Sequence, residues 1–147
     1  MSVLKEAVIT EPLVDNVEAS AICTDVAKVH RLDLETVPRG NTYFASGFRL
    51  KAVRKDTVHA LVAWFEVEFS HGTKPILLST SPRLRATHWK HTVFYTDKPI
   101  PLFEQDVLEG NIAVRKNPAH SRELDIKISF HCDNRYPTHI VRFYRLK

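Results

Sequence analysis

Alternation of apolar and polar residues with a period of two is the feature that most constrains how this chain folds. Successive side chains of a β-strand point to opposite faces, so such spacing predicts a strand with one buried face. Period-two runs cover residues 26–32, 48–52, 64–69 and 108–114, and in a further strand, residues 138–146, both faces are expected to be partly covered. The clearest run, residues 123–131, places apolar side chains at Leu124, Ile126, Ile128 and Phe130.

Turn-forming residues separate most of these runs. They occur at positions 38–41, 71–73, 81–82, 98–99, 117–118 and 133–134. Many short strands with frequent turns are typical of all-β domains, whose sheets close into a barrel or pack as a sandwich. One short helix is predicted near residues 18–24. We therefore predict an all-β fold: a single barrel or sandwich-like barrel of short antiparallel strands with one short helix.

Length and composition restrict the class of protein. The chain has 147 residues, 44% of them hydrophobic, which fits one domain with a buried core. Its net charge of +4 permits contact with nucleic acid without requiring it. No stretch reaches the ~18 apolar residues of a membrane helix, and residues 1–10 lack the apolar centre of a signal peptide. We expect a cytoplasmic or nuclear protein.

Several residue types that carry chemistry elsewhere have simpler explanations here. Cys23 and Cys132 are expected as reduced thiols, because nothing in the sequence indicates an oxidising compartment. His88 and His91 are three positions apart, which on a strand places them on opposite faces, so no metal site is expected. The glycines form neither a dinucleotide-binding nor a phosphate-binding loop.

The most specific motif lies in residues 78–95, which read LSTSPRLRATHWKHTVFY. At its centre the tripeptide Thr87-His88-Trp89 precedes a predicted strand from Trp89 to Tyr95. This stretch resembles the "THW loop" of protein arginine methyltransferases. Three further segments, residues 11–15, 56–69 and 122–125, resemble the same family in matching order. The resemblance therefore extends over nearly the whole chain.

The resemblance implies a domain of known type. In that family, a type I-like enzyme transfers methyl groups from S-adenosylmethionine to arginine side chains in proteins. The cofactor site lies in a domain N-terminal to a C-terminal β-barrel, and a helical arm before the barrel forms a dimer. By resemblance, residues 1–147 are the substrate-binding barrel domain, with the cofactor domain and the dimerisation arm absent.

The resemblance also implies the cofactor and the partners. The complete enzyme uses S-adenosylmethionine, whereas this chain alone is expected to bind no cofactor and to be inactive. The implied partners are protein substrates with arginine-rich segments and an S-adenosylmethionine-binding domain in cis or in trans. Whether the chain forms a homo-oligomer stays open, because the arm is missing.

By matched position, the tripeptide supplies the candidate site residues. His88 is the candidate catalytic residue, which would orient an acidic residue of the cofactor domain by a hydrogen bond. Trp89 would line the arginine pocket, where a cation–π contact is worth ~0.5–2 kcal/mol. Thr87 would brace the loop by a bond from its hydroxyl to the backbone. Without the resemblance, a surface-loop histidine and a core or rim tryptophan are the simpler explanations.

The loop departs from the family after Ser81-Pro82. Family loops often carry an acidic or neutral residue there and an aromatic residue before the threonine, whereas this chain has Arg83, Leu84, Arg85 and Ala86. Two cations near a pocket for a cationic substrate oppose its binding by like-charge repulsion. This departure favours an alternative function, a non-catalytic regulatory or scaffold paralogue of a protein arginine methyltransferase.

A third hypothesis is a basic barrel that binds nucleic acid. Cations and aromatic residues alternate near the C-terminus, as on surfaces that stack single-stranded bases. We regard it as the weakest of the three, because alternation along a strand usually places aromatic residues inside and cations outside. The residues concerned are Arg135, Tyr136, Arg142, Phe143, Tyr144, Arg145 and Lys147.

Overall fold

The computed structural model describes residues 8–39 and 43–147, and their regular structure is almost entirely β, as predicted. No helix in these ranges has the length and apolar character needed to cross a membrane. The turn predicted at 38–41 lies partly outside the described residues. The strands are β1 Ile9–Thr10, β2 Leu13–Asp15, β3 Phe44–Lys51, β4 Asp56–Ala63, β5 Glu66–Phe69, β6 Ile76–Ser79, β7 His91–Leu102, β8 Val107–Lys116, β9 Leu124–Cys132 and β10 Thr138–Leu146.

The predicted helix is a single 3-10 turn, Ala19–Ala21, and not the longer helix expected for residues 18–24. Two bonds of the i to i+3 type define it: the Ala21 N–H donates to Glu18 O and the Ile22 N–H donates to Ala19 O. Glu18 provides no side-chain cap, and Ile22 is already extended. A helix without a capping side chain and with so few bonds does not propagate.

The strands form three sheets in the described residues. The large sheet has the order β1-β10-β9-β8-β3, the second sheet β2-β7-β4, and β5 and β6 form a separate hairpin. The sheets do not close into a barrel, so the fold is sandwich-like. All pairings are antiparallel except the two-residue pairing of β1 with β10, which is parallel and corrects the all-antiparallel prediction.

The core lies between the large sheet and the second sheet, on the faces that the alternation predicts. On β9, Ile126, Ile128 and Phe130 are buried. Phe94 of β7 meets Tyr144 of β10 edge to face, with ring centroids 5.0 Å apart. The Tyr144 hydroxyl also donates to the Tyr95 carbonyl oxygen (2.7 Å). This hydrogen bond joins the two sheets.

The strand predicted for residues 26–32 does not form. Thr24 pairs with Ala52, and the Asp25 N–H donates to the Lys51 carbonyl oxygen (2.9 Å). The Lys51 N–H then donates to the Asp25 carboxylate (2.8 Å) instead of a backbone carbonyl. The carboxylate thereby takes the place of the backbone carbonyl that a strand would offer to this N–H. The residues after Asp25 form no further strand pairing. The His30 ring nevertheless stacks on Phe44, with centroids 4.0 Å apart.

The turn predicted at residues 98–99 is instead a bulge within β7. Between Val58 and Ala60 of β4, the partner on β7 changes from Ile100 to Tyr95, so that four residues of β7 face one residue of β4. Pro99 has no N–H to donate to a ladder, which favours such an irregularity. The turn-forming residues therefore bend the strand without reversing it.

Asp125 of β9 secures the loop between β8 and β9. Its carboxylate accepts hydrogen bonds from Asn117 Nδ2 (3.1 Å to each oxygen) and Arg145 Nε (2.9 Å). Burial by itself raises the pKa of this carboxyl, but the hydrogen bonds from Arg145 and Asn117 and the nearby guanidinium charges outweigh burial and lower its pKa. The ionised form is therefore the one that the fold stabilises.

This arrangement predicts a dependence of stability on pH. A carboxyl with a lower pKa in the folded state contributes stability that is complete above its unfolded-state pKa of about 4 and is lost as pH falls through the folded pKa. We expect Asp125→Asn to lower the free energy of unfolding by about 1–2 kcal/mol at neutral pH. Urea unfolding across pH should show this difference shrinking below about pH 4; a constant difference contradicts the assignment.

Candidate functional site

The loop of residues 81–90 joins β6 to β7, and buried polar residues fix both of its ends. Thr80 is 2% exposed. Its hydroxyl donates to the Phe65 carbonyl oxygen (2.7 Å) and accepts from the Phe65 N–H (3.1 Å). His91, 6% exposed, lies at the other end, and its Nε2 contacts the Thr80 carbonyl oxygen (2.8 Å). His91 therefore links the two ends of the loop directly.

A second hydrogen bond determines which nitrogen of the neutral His91 ring carries the proton. The Val17 N–H donates to Nδ1 (2.9 Å). A ring nitrogen that accepts carries no proton, so the neutral imidazole holds its proton on Nε2 and donates it to the Thr80 carbonyl. Sequence reasoning missed this anchor, because a histidine at the start of a strand looks the same whether its ring is buried or solvated.

Two tight turns shape the loop between its anchors. The Leu84 N–H donates to the Ser81 carbonyl oxygen (3.1 Å), and the Lys90 N–H donates to the Thr87 carbonyl oxygen (3.4 Å). Lys90 has a φ of 57°, a left-handed conformation that is unfavourable for residues other than glycine. The left-handed residue comes directly before β7, so the anchored strand holds the second turn in place.

The predicted site residues lie side by side on this second turn. His88 is exposed and Trp89 is 47% exposed. Their ring centroids are 4.2 Å apart with planes tilted by 30°, and Trp89 meets Phe65 edge to face with centroids 6.0 Å apart. The imidazole therefore lies on an exposed rim, packed against an aromatic ring, where it can contact a second surface.

Two details of the predicted site differ from expectation. The strand begins at His91, so Trp89 belongs to the loop and not to the strand. Thr87 is half-buried, and its carbonyl oxygen, which accepts from Lys90, makes the bond that braces the turn. No hydrogen bond from the Thr87 hydroxyl to another described residue accompanies it, so the brace is the backbone bond and not the predicted side-chain bond.

An exposed apolar face lies beside the loop. We call Phe65, Phe69 and Ile76 the hairpin face; they are 43%, 58% and 63% exposed. The alternation of residues 64–69 predicted a half-buried strand, and the strand β5 forms as expected. Phe65, Phe69 and Ile76 stay exposed on one side of the hairpin, which belongs to neither of the two larger sheets of the described residues. Such a contiguous apolar face next to polar residues is typical of an interaction site.

Three cations lie on the loop. Arg83, Arg85 and Lys90, here called the loop cations, are all exposed. None of them forms an ion pair with another residue in the ranges 8–39 and 43–147. Their positive charge is therefore not neutralised by the described residues and acts on any ligand that approaches the loop.

Two of the four cations near the C-terminus, Arg142 and Arg145, have partners within the fold. Arg142 donates to the Thr10 hydroxyl (2.8 Å) and lies 3.8 Å from the Asp97 carboxylate. Arg145 donates to Asp125 (2.9 Å), and the ring of Tyr144 is buried in the core. Because these groups already have partners, the structure offers little support for the nucleic-acid-binding hypothesis based on them.

Neither thiol is suited to nucleophilic chemistry. Cys132 is 1% exposed and Cys23 packs against the same core, and both are free. Burial, followed by the charge of nearby carboxylates, raises the pKa of both thiols. A protonated thiol is a poor nucleophile. No group of three or more potential metal ligands occurs in the described part of the chain.

The loop forms an open rim. Two surface hollows of the described chain lie elsewhere: one on the outer face of the large sheet beside Gly47 and Arg49, the other beside Asp97 and Thr138. Neither includes a residue of the loop. Because His88 and Trp89 are exposed on this loop, they present one wall to a ligand, and a facing surface is needed to enclose it.

Comparisons with known proteins agree with this geometry. Residues 1–135 match the family described as the arginine methyltransferase oligomerization subdomain. The chain is 43% identical over 136 residues to protein arginine N-methyltransferase 1 of Schizosaccharomyces pombe, covering 92% of this chain. It is 38% identical over 152 residues to the probable protein arginine N-methyltransferase 1.2 of Arabidopsis thaliana, covering 100% of this chain. It spans only 40% of the length of each relative.

Solved structures show the same fold. The Trypanosoma brucei PRMT1 enzyme–prozyme heterotetrameric complex with AdoHcy superposes with a TM-score of 0.89 at 32% identity, over 93% of this chain and 44% of that one. Protein arginine methyltransferase 10 of Arabidopsis thaliana gives a TM-score of 0.88 at 18% identity, over 95% of this chain and 43% of that one, and supports the fold alone. The chain therefore belongs to the protein arginine methyltransferase family and corresponds to its C-terminal domain.

Proposed function

We propose that this chain forms the arginine-facing wall of an S-adenosylmethionine-dependent protein arginine N-methyltransferase. The observation that carries the proposal is the pair of adjacent, exposed rings of His88 and Trp89, with centroids 4.2 Å apart, on a loop anchored at both ends. A relative whose complex contains AdoHcy supports the cofactor. The facing wall, in this proposal, is the S-adenosylmethionine-binding region of the enzyme, in cis or in trans.

The chemistry explains why a rim of this kind is useful. Arginine is a poor nucleophile because its guanidinium stays protonated, with a pKa above ~12. S-adenosylmethionine supplies the methyl group when bound, and the protein must direct one guanidinium nitrogen towards it. His88 would hold a carboxylate of the facing wall in position. Trp89, packed by Phe65, would cover the flat guanidinium face, a contact worth ~0.5–2 kcal/mol.

The proposal includes the limits of the isolated chain. Residues 1–147 would act as the substrate-binding domain, in the cytoplasm or nucleus, on protein substrates with exposed arginine side chains. Alone, the chain is proposed to bind no S-adenosylmethionine and to transfer no methyl group. Isothermal titration calorimetry tests the first point, and binding at micromolar concentration contradicts it.

A His88→Ala variant tests the role of the imidazole. We would replace the corresponding domain of the Schizosaccharomyces pombe relative by this chain and measure methyl transfer to an arginine peptide. We expect turnover to fall about 10- to 100-fold, because a misplaced carboxylate no longer aligns the guanidinium. The free energy of unfolding should change by less than about 0.5 kcal/mol, since the side chain is exposed.

The matched control is His120→Ala, which removes another exposed imidazole, in the loop between β8 and β9. This variant should keep both turnover and stability. A loss of stability in His88→Ala with unchanged turnover per folded molecule contradicts the proposed role and makes the residue structural.

A second candidate function is a non-catalytic partner that regulates or scaffolds an active methyltransferase. Arg83 and Arg85, which have no ion-pair partner among the described residues, favour it because they oppose the approach of a cationic substrate. The same assay separates the two functions. A regulatory domain would raise the turnover of a separate, complete methyltransferase, and it would do so equally well with His88→Ala.

A further inference from the structure

The loop cations lie close to the proposed arginine pocket. Consecutive Cα atoms are about 3.8 Å apart, so Lys90 is adjacent to Trp89, and Arg85 lies within about 7 Å of Thr87, measured between Cα atoms. Arg83 lies within about 14 Å of Thr87 by the same limit. Arg85 and Lys90 therefore lie within about one Debye length, ~8 Å, of the tripeptide at physiological ionic strength, and Arg83 acts on a ligand that extends along the loop.

The loop also carries an apolar side chain between its cations. Leu84 is 57% exposed and stands between Arg83 and Arg85. Trp89 of the loop contacts Phe65 of the hairpin face, so the apolar surface continues from the loop to the hairpin. A peptide that places its arginine beside Trp89 therefore meets positive charge and apolar surface next to the pocket.

We propose that the loop cations make this site selective for arginine residues flanked by acidic and bulky apolar residues, and unfavourable for arginine-rich segments. The inference rests on the proposed function and specifies its substrate class. An acidic flank neutralises the loop cations, and an apolar flank covers Leu84 and the hairpin face. A segment rich in arginine adds positive charge and is repelled.

A peptide fits this surface better than a polyphosphate or an anionic membrane. Glu66 and Glu68 are exposed on the strand β5, on the side opposite to Phe69 and to Phe65, which directly precedes the strand. Two carboxylates this close to the apolar residues repel a surface of uniform negative charge. A peptide can place a few acidic residues against the loop cations and leave the carboxylates free.

Peptide binding to the assembled enzyme tests the inference. The probes are fluorescent peptides with one central arginine, flanked either by glutamate and leucine or by lysine and glycine, with affinity read by fluorescence anisotropy. We expect the acidic peptide to bind about tenfold more tightly at physiological ionic strength, and the ratio to fall at about 1 M salt because charges are screened. R83E/R85E should reverse the preference.

A matched control keeps the total charge change the same. R49E/K116E reverses two exposed cations on the large sheet, away from the loop, and should leave the preference intact. Equal affinity for both peptides overturns the inference, as does a preference that survives in R83E/R85E. Equally tight binding of an acidic peptide that lacks arginine also overturns it, since the surface would then be a docking site for acidic partners.

The outcome is separable from that of the proposed function. If the enzyme methylates arginine in a His88-dependent way but shows no flank preference, only the inference about the substrate class fails. If the preference is present and reverses in R83E/R85E, but no methyl transfer depends on His88, the proposed function fails and the loop remains a selective peptide-binding surface.

Discussion

Replacing Gly110 by alanine is expected to lower the free energy of unfolding by about 3 kcal/mol or more. A Cβ at this position of β8 would lie 2.0 Å from the Ser129 carbonyl oxygen and 2.6 Å from the Cβ of Phe130. Both neighbours are part of β9, one of them backbone, so neither can rotate away. The two strands would have to separate in the centre of the large sheet, where Phe130 contributes to the core.

Gly47→Ala is the matched control on the neighbouring strand β3. A Cβ there would meet its nearest atoms at ordinary contact distances, 3.6 Å to Asn111 Oδ1 and 3.7 Å to the Gly110 carbonyl oxygen. We expect a change within about 1 kcal/mol, because alanine also reduces the freedom of the unfolded chain. Urea unfolding of both variants measures the difference, and equal losses contradict the close approach at Gly110.

Replacing His91 by alanine is expected to cost about 3 kcal/mol and to release the loop. The substitution leaves the buried Thr80 carbonyl and the half-buried Val17 N–H without their partner, at about 1–3 kcal/mol for the buried group and less for the other. Because His91 links both ends of the loop, amide hydrogen exchange should accelerate across residues 81–90. Urea unfolding gives the loss of stability, and exchange monitored by mass spectrometry gives the local effect.

His88→Ala supplies the contrasting result. Loss of this exposed ring should lower turnover without accelerating exchange in the loop, whereas His91→Ala should do both. A His91→Ala protein with unchanged stability and exchange contradicts the role of the ring as an anchor. The two histidines, three positions apart, are thus expected to separate a structural role from a catalytic one in a single pair of variants.

The period-two pattern predicted most of the core correctly. On β9, the apolar positions from Leu124 to Phe130 face the core, because a strand paired on both sides with one face covered leaves little choice of register. The pattern failed at residues 26–32, where one side chain, Asp25, occupies the ladder donor of Lys51. Competition of this kind depends on a tertiary contact and leaves no periodic signal in the sequence.

The candidate site was predictable only through the family motif. Periodicity identified Phe65 and Phe69 as one face of a strand, but it did not show that they are exposed, because the covering of a face depends on tertiary packing. His88 and Trp89 carry no distinguishing pattern of their own. The anchor at His91 was missed because its importance comes from burial and from Val17, a residue distant in sequence.

The edge of β3 has a consequence for how copies of this chain meet. On the side away from β8, the Lys51 N–H is already bonded to the Asp25 carboxylate, and the ring of His30 lies over Phe44 at the other end of the strand. A strand added at this edge would find the Lys51 N–H already bonded to Asp25 and the His30 ring already stacked on Phe44. Both contacts make this border of the large sheet less available for pairing with an added strand, the route by which exposed edge strands template aggregation.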